Sequence, residues 1–142
     1  MNKNSELLNY IHQNSEMGKI TINQLITISK DEAYKKMLQS QFDEYKMIFN
    51  LVDKKLKDNN KEAKDINTLS KMSSHFMINL KTLRYKTPAH ISKMLIQGST
   101  MGIIDITEKI KEYADADKEI VDLAKQLLDF EQRNVEECKK YL

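Results

Sequence analysis

Little in this 142-residue sequence interrupts a helix: there are three glycines, one proline and no tryptophan. That shortage excludes strands joined by Gly/Pro turns as the main architecture, and abundant Lys, Glu, Leu, Ile and Met favour helix instead. A single cysteine, Cys138, excludes an internal disulfide and fits a reducing compartment. Cys138 falls near a predicted helix C-terminus, where no dipole lowers a thiol pKa, so no reactive role is expected of it. Arginine is scarce, which removes most of the bidentate readers of phosphate and bases. The 23 basic and 21 acidic residues are interspersed, net charge +2, so no basic footprint points to nucleic acid. No apolar run approaches the ~20 residues that span a bilayer. The opening M-N-K-N-S-E-L-L-N-Y lacks the apolar core of a signal peptide. A cytoplasmic protein without membrane or nucleic-acid contact is expected.

What is present is helical periodicity. Leu8, Ile11, Ser15, Gly18, Ile22 and Leu25 recur at three- and four-residue spacing, as do Leu38, Phe42, Tyr45, Phe49, Val52 and Leu56. Ile66, Leu69, Ser73, Phe76, Leu80 and Leu83 mark a third helix, which must stop before Pro88. Asn4 or Ser5, Asp31 and Thr87 are the expected caps, with Pro88 at the first position of the fourth helix. Met94-Leu95-Ile96 and Met101-Gly102-Ile103-Ile104 make that fourth helix apolar on more than one face, which predicts the deepest position. Ile120, Ala124, Leu127, Glu131, Val135, Cys138 and Leu142 form the stripe of a fifth. Met17, Met47, Met94 and Met101 read as pliable core filler. The prediction is an all-α bundle with helices at about 5–29, 31–57, 89–113 and 117–141 and a crossover helix at about 62–85. All of it forms one domain, 1–142.

The chain also repeats itself. N-S-E-M-G-K-I at 14–20 and G-S-T-M-G-I-I at 98–104 share S-x-M-G at a shift of 84. Phe42-Asp43 aligns with Phe130-Glu131 at a shift of 88, so 5–57 and 89–142 read as duplicated hairpins. A glycine inside a helix costs roughly 1 kcal/mol against alanine, and something should offset it. Ser15, Gly18, Ser99 and Gly102 are therefore expected to serve close helix packing, or else to open a cavity for a ligand.

I-Q-G-S-T-M-G at 96–102 and F-E-Q-R-N at 130–134 resemble small ferritin-like proteins of Firmicutes, and more distantly the spore coat F family. The resemblance implies two hairpins joined by a crossover, and a di-iron centre held by a Glu on one helix and Glu-x-x-His on the other of each hairpin. Carried onto this chain, Glu16 takes the place of the single Glu, and Thr100 that of its partner. Met47 follows Glu44, and Asn134 follows Glu131, where His is needed, so both signatures are degenerate. The surviving acidic set is Glu16, Glu44, Asp105, Glu108 and Glu131; a carboxyl buried in the bundle must be paired, protonated or metal-bound. His12, four residues before Glu16, is expected on the surface, as are His75 and His90. No nucleophile–base arrangement and no Gly-rich phosphate loop occur. The expectation is a non-catalytic structural or protein-interaction protein without cofactor, pairing as a homodimer through helix faces, its protein partner unidentified. A carboxylate-rich iron or manganese protein and a spore-coat component are the alternatives.

Overall fold

The computed structural model describes residues 2–58 and 86–142; the expected crossover helix and His75 lie outside the described residues. Four helices account for most of them: α1 (Lys3–Ile28), α2 (Glu32–Asp58), α3 (Pro88–Glu112) and α4 (Lys118–Lys139). None is long and apolar enough to cross a membrane.

Local chemistry sets most of the boundaries. The Asn2 side chain accepts from Asn4 N, so α1 starts earlier than the Asn4 or Ser5 cap predicts. Asp31 Oδ1 accepts from Tyr34 N at 2.9 Å and caps α2. Thr87 accepts from His90 N and Pro88 opens α3, where a missing N–H costs nothing. The turn into α4 is held from outside, because Asp117 N donates to Asn4 Oδ1 at 2.8 Å.

Those contacts also set the helix directions. The short 29–31 link makes α1 and α2 an antiparallel hairpin, and 113–117 does the same for α3 and α4. Lys3 pairs with Asp115, and Lys55 with Glu119 at 2.9 Å, so the start of α1 and the end of α2 lie beside the α3–α4 turn. At the other end Tyr34 Oη and Ser92 Oγ share a hydrogen bond of 2.7 Å, joining the start of α2 to the start of α3. Helices α2 and α3 are thus parallel, with the end of α2 and the start of α3 at opposite ends of the bundle.

The core draws on all four helices, with Leu7, Ile11, Leu25, Tyr34, Leu38, Ile48, Ile91, Ile106, Leu127 and Phe130 almost fully enclosed. The deepest helix is α1, not α3 as its apolar content predicts. It packs against all three others, burying Asn9, His12, Gln13 and Asn14 with its apolar residues, whereas α3 packs chiefly on α4. Met101 and Ile104 end 42% and 52% exposed on α3's outer side, and Met47 is exposed on α2, so these two methionines are not core filler. Leu142 lies past the end of α4 and leaves its stripe, while Asn134 joins the buried face.

Candidate functional site

Because α1 and α3 run antiparallel, the two S-x-M-G segments meet across the centre of the bundle. Tyr10, Asn14, Met17, Gly18, Thr21 and Ile22 form one wall of a cavity of about 110 Å³, and Leu95, Gly98, Ser99, Met101, Gly102 and Asp105 form the other. Asn14, Met17, Gly18 and Thr21, shifted by 84, fall on Gly98, Met101, Gly102 and Asp105, which all line the same space. Exposed Met101 and half-buried Asp105 place its rim at the surface. Tyr45 from α2 and Glu131 from α4 close the inner side.

The glycines make room for those two side chains. A methyl group on Gly18 would lie 2.4 Å from the Tyr45 ring, and one on Gly102 would lie 2.7 Å from Glu131 Oε2. In both cases a side chain, and not a neighbouring backbone, occupies the space. Tyr45 and Glu131 are 86 residues apart, so the places they take against the glycines differ from the 88-residue alignment of Phe42-Asp43 with Phe130-Glu131. Ser15 works locally: its hydroxyl is buried and donates to Ile11 O and His12 O of its own helix. Ser99, by contrast, lines the cavity.

Glu131 is 2% exposed, and Tyr45 Oη donates to its Oε2 at 3.1 Å. Its other oxygen, Oε1, is buried and makes no hydrogen bond of good geometry, with the Asn14 side chain close enough to draw the carboxyl's pKa down. Burial pushes this carboxyl up to about 8; Tyr45 and Asn14 pull it back, and the charge of Asp105 adds to the rise. Glu131 is therefore mostly protonated at pH 7. Since Oε2 accepts from Tyr45, the proton belongs on Oε1. Burial also raises the phenols of Tyr45 and Tyr10, so both stay neutral; Tyr10 Oη is buried with no hydrogen bond of good geometry and the Asn14 side chain close by. Asp105 is raised by burial and by Glu108 beside it.

Of the five carboxylates carried over from the resemblance, Asp105 and Glu131 come together at the cavity. Glu44 faces outward, where its two oxygens meet the Arg133 guanidinium at 3.2 Å each. The next residue, Tyr45, takes the inward direction, and one step along a helix turns a side chain by about 100°. Met47 follows Glu44 to the surface, Glu108 is exposed, and half-buried Glu16 is not among the lining residues. Asn134, in the place of the missing histidine, is buried with Nδ2 unpartnered. Among the described residues no three His, Cys, Asp or Glu side chains form a group that could hold a metal ion.

His12 is not the surface residue its spacing from Glu16 predicts. It is 5% exposed, stacked on Phe49 at 4.4 Å, with Nε2 3.2 Å from Asp53 Oδ1. His90 is exposed as expected, its Nδ1 2.8 Å from Thr87 Oγ1. Cys138 is buried and its thiol is raised by that burial, which fits an inert role.

Tyr10, Asn14, Met17 and Thr21 are cavity residues that sequence reasoning did not single out as a site. The 84-residue repeat held the signal, since three of the four map onto cavity residues of α3. Together the fold and site define an all-α protein with a buried carboxyl on the lining of a cavity between its helices. Comparison with protein-family models, curated proteins and solved structures returns no match.

Proposed function

We propose that this chain is a non-catalytic binding protein of the cytoplasm, built on a ferritin-like bundle in which a ligand cavity stands where a di-iron centre would be. The observation that carries the reading is Glu131: a buried carboxyl on the cavity lining, with Oε2 held by Tyr45 and Oε1 making no hydrogen bond of good geometry. A buried polar atom without a partner is costly, and a bound molecule that satisfies it removes the cost. The parallel α2 and α3 support the ferritin-like plan, and the matching cavity positions at a shift of 84 support duplication. The lining combines proton donors with apolar walls. The Tyr45 hydroxyl meets in Glu131 a carboxyl that burial keeps protonated and not a base that would activate it, which favours holding a molecule over turning one over.

Metal loading tests this against a carboxylate metal site. Chain incubated anaerobically with ferrous iron or manganese and then desalted is expected to retain far less than one metal per chain. One metal per chain, lost in Glu131→Ala, would replace the proposal with a metal centre at Asp105 and Glu131. Pairing through helix faces belongs to the same proposal. Met47 and Leu51, one turn apart on α2 and 45% and 42% exposed, leave an apolar strip for a second copy. Sedimentation velocity is expected to show a species of twice the 16.6 kDa chain mass, and a 16.6 kDa species alone would remove the dimer from the reading.

A further inference from the structure

We infer that the cavity binds a small primary alkylammonium ion, with its charged head at Glu131 and Asp105 and its alkyl tail against Met17, Ile22, Leu95 and Met101. This deepens the proposed binding function and rests on it. Charge is the first argument. The cavity presents two carboxyl groups, and among the described residues no Lys, Arg or His lines it. The Lys109 ammonium, which acts on Asp105 from one turn along α3, lies 5.8 Å from the Tyr10 ring and is engaged by Glu112 at 3.2 Å. An anion would meet the Asp105 carboxylate with no cation on the lining to offset it, and a cation would find that carboxylate together with Glu131, which can ionise beside it.

Hydrogen bonding is the second argument. An ammonium head carries three donors and needs three acceptors. Asp105 supplies carboxylate oxygens at the rim, and Glu131 Oε1 and Tyr10 Oη, which lie buried beside the Asn14 side chain, become acceptors once Glu131 gives up its proton and that amide turns aside. The rings of Tyr10 and Tyr45 add faces that attract a cation. Size is the third. A cavity of about 150 Å³ holds a benzene molecule, so about 110 Å³ suits an aliphatic chain of four or five heavy atoms. Methionine walls on both α1 and α3 adapt to such a chain.

The inference has a signature that simple cavity filling lacks. Empty, Glu131 keeps its proton at pH 7 because burial raises it to about 8. An ammonium ion beside it favours the carboxylate, so the proton leaves Oε1 for the buffer as the cation enters. No proton moves in this way when a neutral molecule binds.

Three probes of similar length separate the outcomes: n-butylamine, butyramide and butyrate, titrated calorimetrically at pH 7 in phosphate and in MOPS. Butylamine is protonated at this pH, like a lysine side chain. It is expected to bind at least about 10-fold more tightly than butyramide and to release close to one proton, with butyrate not binding. Glu131→Gln, which copies the protonated carboxyl in shape, is expected to weaken butylamine about 100-fold. Butyramide binding as tightly as butylamine, or butylamine binding without proton release, would overturn the ammonium assignment and leave the binding function standing. None of the three binding at millimolar concentration would overturn both. The proton count is read on the unaltered chain, so the test holds even where the variant folds poorly.

Discussion

Glu131→Gln is expected to make the protein more stable than the parent by about 4 kcal/mol at pH 8.5, and to leave it within about 1 kcal/mol at pH 5. The reason is the proton on Glu131. In the unfolded chain this carboxyl titrates at its ordinary value of 4.5, and in the folded chain at about 8. Between those values the folded state holds a proton that the unfolded state has lost, so stability falls as pH rises from 4.5 to 8. Below 4.5 both states are protonated and above 8 both are ionised, so this group contributes no slope outside the window. Glutamine keeps an acceptor for Tyr45 and cannot ionise, which removes the slope. The other titratable groups around the site act in known directions: Asp105 is also raised and adds a smaller slope of the same sign in both proteins, while Tyr10 and Tyr45 stay neutral through the window. Urea midpoints measured from pH 4 to 9 check this. Parallel profiles for parent and variant would show that Glu131 is ionised in the folded protein, and the protonated-acid account of the cavity would fall.

Gly18→Ala is expected to destabilise the fold by about 1–2 kcal/mol, reversing the usual gain of about 1 kcal/mol from replacing a helical glycine. The added methyl would sit 2.4–2.5 Å from three atoms of the Tyr45 ring. That ring has little freedom to withdraw. It is 5% exposed, its edge meets Phe130 at 4.7 Å and 75°, and its hydroxyl is held by Glu131. Overpacking against a pinned ring forces a backbone shift, and such shifts cost more than the helix propensity recovers. The control is the same change made in a Tyr45→Ala background. There the ring is gone, and Gly18→Ala is expected to stabilise by about 1 kcal/mol. A double-mutant cycle from urea unfolding at pH 6 gives the coupling directly, and a coupling near zero would mean that Gly18 is not there to admit Tyr45. Gly102→Ala meets only the end of a flexible glutamate chain, so its cost should be smaller.

Much of the frame could be read before any coordinates. The seam Leu8, Ile11, Ser15, Gly18, Ile22 and Leu25 marks the inward side of α1, and Asp31, Thr87 and Pro88 mark the starts of α2 and α3. Periodicity and capping are local properties, set within one or two turns of chain, which is why they survive translation from sequence to structure. Depth in the bundle did not follow the same logic. Apolar content placed α3 innermost, yet α1 is the more enclosed helix and carries buried Asn9, His12, Gln13 and Asn14. How many neighbours a helix has is a property of the assembly, and no count of its own apolar residues contains it.

The site divides along the same line. The repeated S-x-M-G, the glycines with no local reason to be helical, and Glu131 on an apolar stripe are all legible in the chain, as is the loss of both Glu-x-x-His signatures. Which carboxylates would share a space was not. Glu44 and Glu131 look equivalent as letters, and one step of helix rotation sends the first out to Arg133 while the second turns in to meet Tyr45. The spacing of residues along the chain decides which positions share a face of one helix. The antiparallel crossing of α1 and α3, together with the side chains that α2 and α4 project between them, decides that two glycines leave a cavity and that one buried carboxyl lines it. Those relations join residues more than 80 positions apart, so they exist only once the helices have packed.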